Sequence, residues 1–338
     1  MGHPGLTNLF VSGNYCIMTN LIHQTESFIL SDNLIDRQTA VLLTKQPGQE
    51  NLWDAADRIR QHCHGSRLAL CSIINAKSGS CSEDCRFCAQ SAHYHSDVEK
   101  YDIVNMDRAL EIAVDNDQHN VHRISLVTSG RSVSDSTLDQ LEQIYDNISQ
   151  STMMKLCGSM GLLTKEKAAR LKEIGVVRYH CNLEASHNFF PTVCTTHTWE
   201  EKVETLKLAR EAGMSVCSGG IIGMGETMED RIDLAIELRE LKVNSIPLNI
   251  LTPIPGTPLS ELEQLSIEEI LTTIAIFRFI CPQAIIRIAG GRQQLGQDQY
   301  RCFMAGANGA MVGNYLTTTG GSIEEDLLNF TVMGFSFA

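Results

Sequence analysis

Three cysteines stand within eight residues, Cys81, Cys85 and Cys88 in the run CSEDCRFC. With 12 cysteines in 338 residues, a given cysteine would find both partners at these offsets by chance only about once in a thousand times. A loop of this length can wrap three corners of a four-iron cube and leave the fourth iron without a protein ligand, open to another molecule. Zinc is the competing occupant, with His93 or His95 as a fourth ligand. A second set of polar or soft residues is spread along the chain: Ser125, Cys157, Asn182, Glu184, Cys217, Asn249 and Arg287. Each falls in or just beyond a strand-like run, where burying Arg or Glu is costly unless a partner meets it.

The elements that must hold these residues follow from hydrophobic period. Eight short β-rich runs are expected as strands: Leu70–Asn75, Arg123–Thr128, Met153–Gly158, Val176–Leu183, Ser215–Gly220, Ser245–Ile250, Ala284–Ile288 and Ala310–Val312. Amphipathic stretches lie between most of them, including Thr164–Ile174 closed by Gly175, Trp199–Ala212 closed by Gly213, and Glu229–Leu241. Eight strand–helix repeats over about 270 residues predict an α/β fold, a (β/α)8 TIM-type barrel, in which chemistry sits at the carboxyl ends of the strands. No strand runs into a GxGxxG helix start. The glycines of GGIIGMGE (Gly219 to Glu226) have another spacing, for which a tight turn is the plain alternative. Residues 1–51 are expected as a partly helical or flexible N-terminal extension, and residues 52–338 as the barrel.

Composition narrows the class. Forty acidic against 27 basic residues leave a formal charge of −13, so a nucleic acid backbone would be repelled on average. No apolar run reaches the roughly 18 residues of a membrane span. The opening MGHPGLTNLFVSGNYCIMTNL lacks the basic and apolar blocks of an export signal, which points to a reducing cytoplasm where clustered thiols ligate metal or do redox chemistry.

The triplet, with Phe87 just before its last cysteine, resembles the radical S-adenosylmethionine (SAM) superfamily. The blocks SIINAKSGSCSEDCRFCAQSAHY, VCSGGIIGMGET, PIPGTPL and CFMAGAN, in order from about residue 52 to 330, are similar to the biotin synthase family within it. The resemblance implies a [4Fe-4S] cluster on Cys81, Cys85 and Cys88 whose open iron chelates SAM. A 5′-deoxyadenosyl radical then removes hydrogen from dethiobiotin, and sulfur comes from an auxiliary iron–sulfur cluster. It also implies a flavodoxin or ferredoxin electron donor, an anaerobic or microaerobic host, and a homodimer. By the same resemblance Asn182 and Glu184 hold the SAM ribose, Glu184 standing for the family's usual Asp. Asn182 and Asn249 lie near the substrate's ureido ring, and Thr318 and Thr319 meet its carboxylate. Lys202 stands where an Arg pairs with the SAM carboxylate, a solvated helix face being its plain alternative. Gly219 and Gly220 are expected at the cofactor.

The auxiliary ligands depart from the family's three cysteines and one arginine. Cys157, Cys217 and Arg287 match, but Ser125 replaces the first cysteine, and a hydroxyl is a poor iron ligand. Cys181 and Cys194 are therefore expected to join Cys157, Cys217 and Arg287 around a different, larger cluster. The period of a strand objects to Cys181, which should face away if Asn182 faces inward. A narrower set would keep only Cys157, Cys194 and Cys217. The other thiols (Cys16, Cys63, Cys71, Cys281 and Cys302) are expected as small core residues. The alternative activity is a related barrel without sulfur insertion, a hydrogenase-cofactor maturase or methylornithine-type mutase. A zinc or electron-transfer protein is the non-enzyme alternative.

Overall fold

The computed structural model describes residues 18–313 and 321–337. Three helices come first, α1 (Met18–Leu30), α2 (Arg37–Thr44) and α3 (Gln49–His64). The division expected at residues 51 and 52 thus falls inside α3. Then strands and helices alternate: β1 (Arg67–Lys77), α4 (Met106–Gln118), β2 (Arg123–Thr128), α5 (Asp135–Ser151), β3 (Lys155–Ser159), α6 (Lys165–Glu173), β4 (Arg178–His180), α7 (Trp199–Glu211), β5 (Ser215–Cys217), β6 (Gly220–Ile222), α8 (Met228–Glu240), β7 (Ser245–Ile250), α9 (Ile267–Ile280), β8 (Ile285–Ile288), α10 (Arg301–Met304) and β9 (Gly309–Met311). The chain ends in α11 (Ile323–Val332) and a short β10 (Ser336–Phe337) beside the start of β1.

All neighbouring strands of the main sheet are parallel, in the order β5-β4-β3-β2-β1-β9-β8-β7-β6. Its two ends belong to one stretch of chain, because β5 and β6 are halves of a strand broken at Ser218–Gly219. β5 pairs with β4 and β6 with β7, and a bridge from Glu184 to Gly220 spans the break. The ring is thereby closed, and the fold is the TIM-type barrel expected. Glycine is required at the break: a Cβ on Gly219 would lie 1.9 Å from the Pro247 carbonyl oxygen, and one on Gly220 would lie 2.5 Å from that of Glu184.

Strand parity decides what faces the cavity. In β1, Leu68, Leu70, Ile74 and Ala76 are buried to within 2% and belong to the hydrophobic core, while Cys71, Ile73 and Asn75 alternate with them. Each buried Leu or Ile contributes about 2 kcal/mol, so a one-residue slip would expose the whole set. The helices start where hydroxyl caps occur: Thr164, Thr198 and Thr227 each accept a bond from the backbone N–H three residues on, the last two in reciprocal pairs with Glu201 and Asp230. Each cap is worth about 1 kcal/mol. They fix where α6, α7 and α8 begin and hence which loop residues overhang the barrel mouth there.

Candidate active site

The barrel is hollow. A cavity of about 410 Å³ runs inside it, from Phe87 and Cys88 at the mouth to Cys71, Arg123 and Arg178 among the strands. The loop after β1 carries the thiol triplet and is folded back on itself. Cys81 donates its N–H to Gln90 O (2.9 Å), Ala92 N–H returns to Cys81 O (2.7 Å), and Cys88 N–H bonds Cys85 O (3.0 Å). The loop thus gathers three partly exposed soft donors at the mouth, the donor chemistry a four-iron cluster needs. His93 and His95 are exposed, and His93 is engaged by the Ser82 carbonyl at 2.9 Å. The histidine that lies with the thiols is His197, its ring nitrogen within 4.8 Å of the Cys85 and Cys194 sulfurs.

Above the strands, Asn182, Glu184, Lys202 and Asn249 face the cavity. Asn182 Oδ1 accepts from Gly219 N–H (3.1 Å) and its Nδ2 donates to Glu184 Oε2 (3.3 Å). Asn249 bridges Gly220 O (3.2 Å) and Gly290 N–H (2.9 Å). The two asparagines thus clamp the glycine break from both sides, and Gly219 and Gly220 serve barrel closure. Glu184 adopts φ 69°, a strained conformation for a non-glycine residue, held by the bonds across the break. Lys202 is buried 4.0 Å from Glu184. Burial opposes its charge, yet nearby Cys181 and Glu184 carry its pKa above the ordinary lysine value. A buried ammonium beside a carboxylate rules out the solvated-face alternative and leaves a cation for an anionic ligand group.

Deeper in, register brings a second group together: Ser125 lies beside Cys157, Cys157 beside Arg178, and His180 beside Cys217. With Cys71 and Arg287 these residues line the inner cavity. Burial pushes the Cys157 thiol up to about 11 against the pull of Arg123 and Arg178, and pushes Cys71 up against Arg287. Cys217 differs. Burial would raise it, but the charge and hydrogen bond of His180 and the charge of Arg287 bring it down to about 6. Arg123 Nη1 and Ser125 Oγ are buried and have no partner among the described residues. Three thiols, three guanidiniums and spare donors around one space suit an anionic, sulfur-rich group.

Of the two further expected ligands, Cys181 lines the same cavity and also belongs to the hydrophobic core, between Tyr179 and Leu183, both fully buried, with Lys202 and Glu184 as its charged neighbours. Cys194 lies on the loop after β4, its Sγ 3.7 Å from Cys85 Sγ and 3.2 Å from His197 Nδ1, so it belongs with the triplet and not with Cys157. Beside Cys157 and Cys217 the cavity is also lined by Cys71, expected as a small core residue, and by Arg123, Arg178 and His180, none of them expected as ligands. Their signal was parity: Cys71 falls two before Ile73, Arg123 two before Ser125, and Arg178, His180 and Asn182 alternate. Phe87 lines the cavity and packs with the small apolar cluster of Val193, Met224 and Leu251. Thr318 and Thr319 lie outside the described residues.

Comparison with known proteins gives the family and the fold. The model of the radical SAM superfamily matches residues 77–238, and that of the Biotin and Thiamin Synthesis associated domain matches residues 247–336. Barrel, triplet and family match define a radical SAM enzyme. Among curated proteins, the chain is 47% identical over 322 residues to a biotin synthase of Clostridium tetani, covering 94% of this chain and 99% of the relative. It is 55% identical over 273 residues to one from Desulfotalea psychrophila, covering 81% of each. The chain belongs to the biotin synthase family. In shape it is similar to methylornithine synthase (TM-score 0.81, 17% identity, 93% of this chain and 97% of the other). It is also similar to an FeFe-hydrogenase maturase from Carboxydothermus hydrogenoformans (TM-score 0.78, 16% identity, 97% and 85%). At these identities the two structures speak for the fold alone. No helix among the described residues is long and apolar enough to cross a membrane.

Proposed function

We propose that this enzyme inserts sulfur into dethiobiotin to give biotin, with Cys81, Cys85 and Cys88 holding the SAM-cleaving cluster and Cys71, Cys157, Cys217 and Arg287 holding the auxiliary one. The observation that carries the reading is the second thiol set, at the other end of the same cavity from the triplet. A barrel that only cleaved SAM, the alternative considered from sequence, gives those thiols no role. When bound, the two clusters supply the electron that cleaves SAM and the sulfur that the product gains, chemistry that side chains cannot provide.

The chain's own residues bind and orient. Lys202 neutralises the SAM carboxylate from a buried position, as a point charge without the bidentate fork of an arginine. Asn182 and Asn249, fixed by backbone bonds across the glycine break, offer polar groups to ribose and ureido functions without losing side-chain entropy on binding. Cys71 replaces the ligand that Ser125 cannot be. Arg123, Arg178 and Arg287 balance the negative charge of thiolates and sulfide, and closed strands on every side exclude water. Reduced flavodoxin or ferredoxin is the proposed electron source.

The test is anaerobic incubation of iron-loaded chain with SAM, dithionite and dethiobiotin, followed by mass analysis. Biotin together with 5′-deoxyadenosine and methionine is expected. Cleavage of SAM with dethiobiotin recovered intact would refute the reading.

A further inference from the structure

We propose that Cys85 and Cys194 are a thiol-oxidation site: in the chain without its cluster they form a reversible disulfide that shuts the triplet against iron. The inference builds on the triplet as cluster ligands and concerns a thiol, Cys194, that the proposed chemistry does not use. The two residues are 109 positions apart, yet their sulfurs lie 3.7 Å from each other.

Backbone bonds hold the two segments side by side, Arg86 N–H to Val193 O at 3.0 Å and Thr195 N–H to Asp84 Oδ1 at 2.8 Å. The sulfurs have about 1.7 Å to close to reach the roughly 2.05 Å of a disulfide. Cys85 donates toward Cys194, and Cys194 in turn donates to Asp84 Oδ1 at 3.1 Å, with His197 Nδ1 at 3.2 Å and Thr196 Oγ1 at 3.4 Å completing its surroundings. His197 is itself held by Glu83 at 2.6 Å.

The oxidant is a peroxide. Hydrogen peroxide converts Cys194 to its sulfenic acid with release of one water. The Cys85 sulfur then attacks the sulfenic sulfur, an S–S bond forms, and the hydroxyl leaves as a second water. Two thiols are oxidised, one peroxide is reduced, and both thiol protons end in water. With Cys85 engaged, only Cys81 and Cys88 remain for iron. A dithiol reductant reopens the site, so damage by oxygen becomes a recoverable state instead of irreversible over-oxidation of a cluster ligand.

The experiment uses full-length chain purified without added iron, treated with a small excess of hydrogen peroxide, alkylated and mapped by mass spectrometry. Peptides joined through Cys85 and Cys194, separated again by dithiothreitol, are expected. A C157A/C217A chain, in which bound iron reports the triplet alone, should lose at least fivefold of its iron uptake after peroxide and regain it with dithiothreitol. The same chain with C194S added should keep its uptake through the peroxide step. Cross-links among Cys81, Cys85 and Cys88, no cross-link, or equal loss of iron uptake with and without Cys194 would overturn the proposal. If the Cys85–Cys194 link forms but unoxidised C157A/C217A chain binds no iron, the cluster reading of the triplet fails while the cross-link stands.

Discussion

Two sets of arginines occupy this barrel, and their surroundings differ. Arg278, on α9 and fully buried, is saturated: it donates to the carbonyls of Gly306 (2.9 Å), Pro282 (2.8 Å) and Ala284 (2.8 Å), to Asn308 Oδ1 (2.7 Å) and to His64 Nε2 (3.1 Å). Among the inner-cavity arginines, Arg287 donates to Ala69 O at 3.2 Å and Arg178 to Ser215 Oγ at 3.1 Å, and Arg123 keeps a buried Nη1 without a partner among the described residues. A guanidinium built for stability has every nitrogen engaged, because each unpaired buried donor is destabilising by about 1–3 kcal/mol. Donors left open among three thiols mark a place where a ligand is meant to finish the network.

The comparison is sharpened first by removing the thiols. C157A/C217A should lower biotin formation at least a thousandfold while SAM cleavage, followed as 5′-deoxyadenosine, stays within threefold of the parent. Loss of both products in proportion would mean that the two ends of the cavity are not separate. R278M should destabilise the fold by about 3 kcal/mol, since five acceptors lose their donor, with activity per folded chain unchanged; denaturant titration checks the first and turnover of the soluble fraction the second. R123M should do the reverse: stability within about 0.5 kcal/mol of the parent, biotin yield down about tenfold. Equal stability losses for R278M and R123M would erase the distinction.

The smallest expected effect concerns His64. Burial and the charge of Arg278 hold its imidazole down to about 4, so the unfolded chain takes up a proton near pH 6.5 that the folded chain refuses. Stability should therefore fall as pH drops from about 6.5 to 4 and level off below, by roughly 2 kcal/mol or less for a partly exposed group. H64Q should flatten that slope in pH-dependent melting, whereas an unchanged slope would assign it to other groups.

Much of this could be read from the chain, and the part that could not has a definite cause. The strand over Arg123–Thr128 and the one over Ser245–Ile250 have the bounds that periodicity gave, because β-branched runs ended by turn residues leave little choice. The break at Ser218–Gly219 was not visible: Gly219 and Gly220 mark it, but only the nearness of Pro247 and Glu184, far away in sequence, makes it necessary. Cys157, Cys217 and Arg287 fell into the inner cavity as expected because each sits on an inward parity. Cys71 was read as a small core residue because no neighbouring cysteine drew attention to it, although its parity was equally plain. Cys194 was misplaced for the opposite reason. It lies in a loop, where strand parity says nothing and only the fold brings it to Cys85.

The central claim is that the inner thiols hold the sulfur that enters the product. Iron-loaded chain reconstituted with heavy-isotope sulfide, freed of excess sulfide and given SAM, reductant and dethiobiotin for a single turnover, tests it directly by mass analysis of biotin. The account predicts heavy sulfur in the biotin of that turnover, with a matching loss of protein-bound sulfide. Light sulfur in the product, or heavy biotin formed equally well by C157A/C217A, would contradict it.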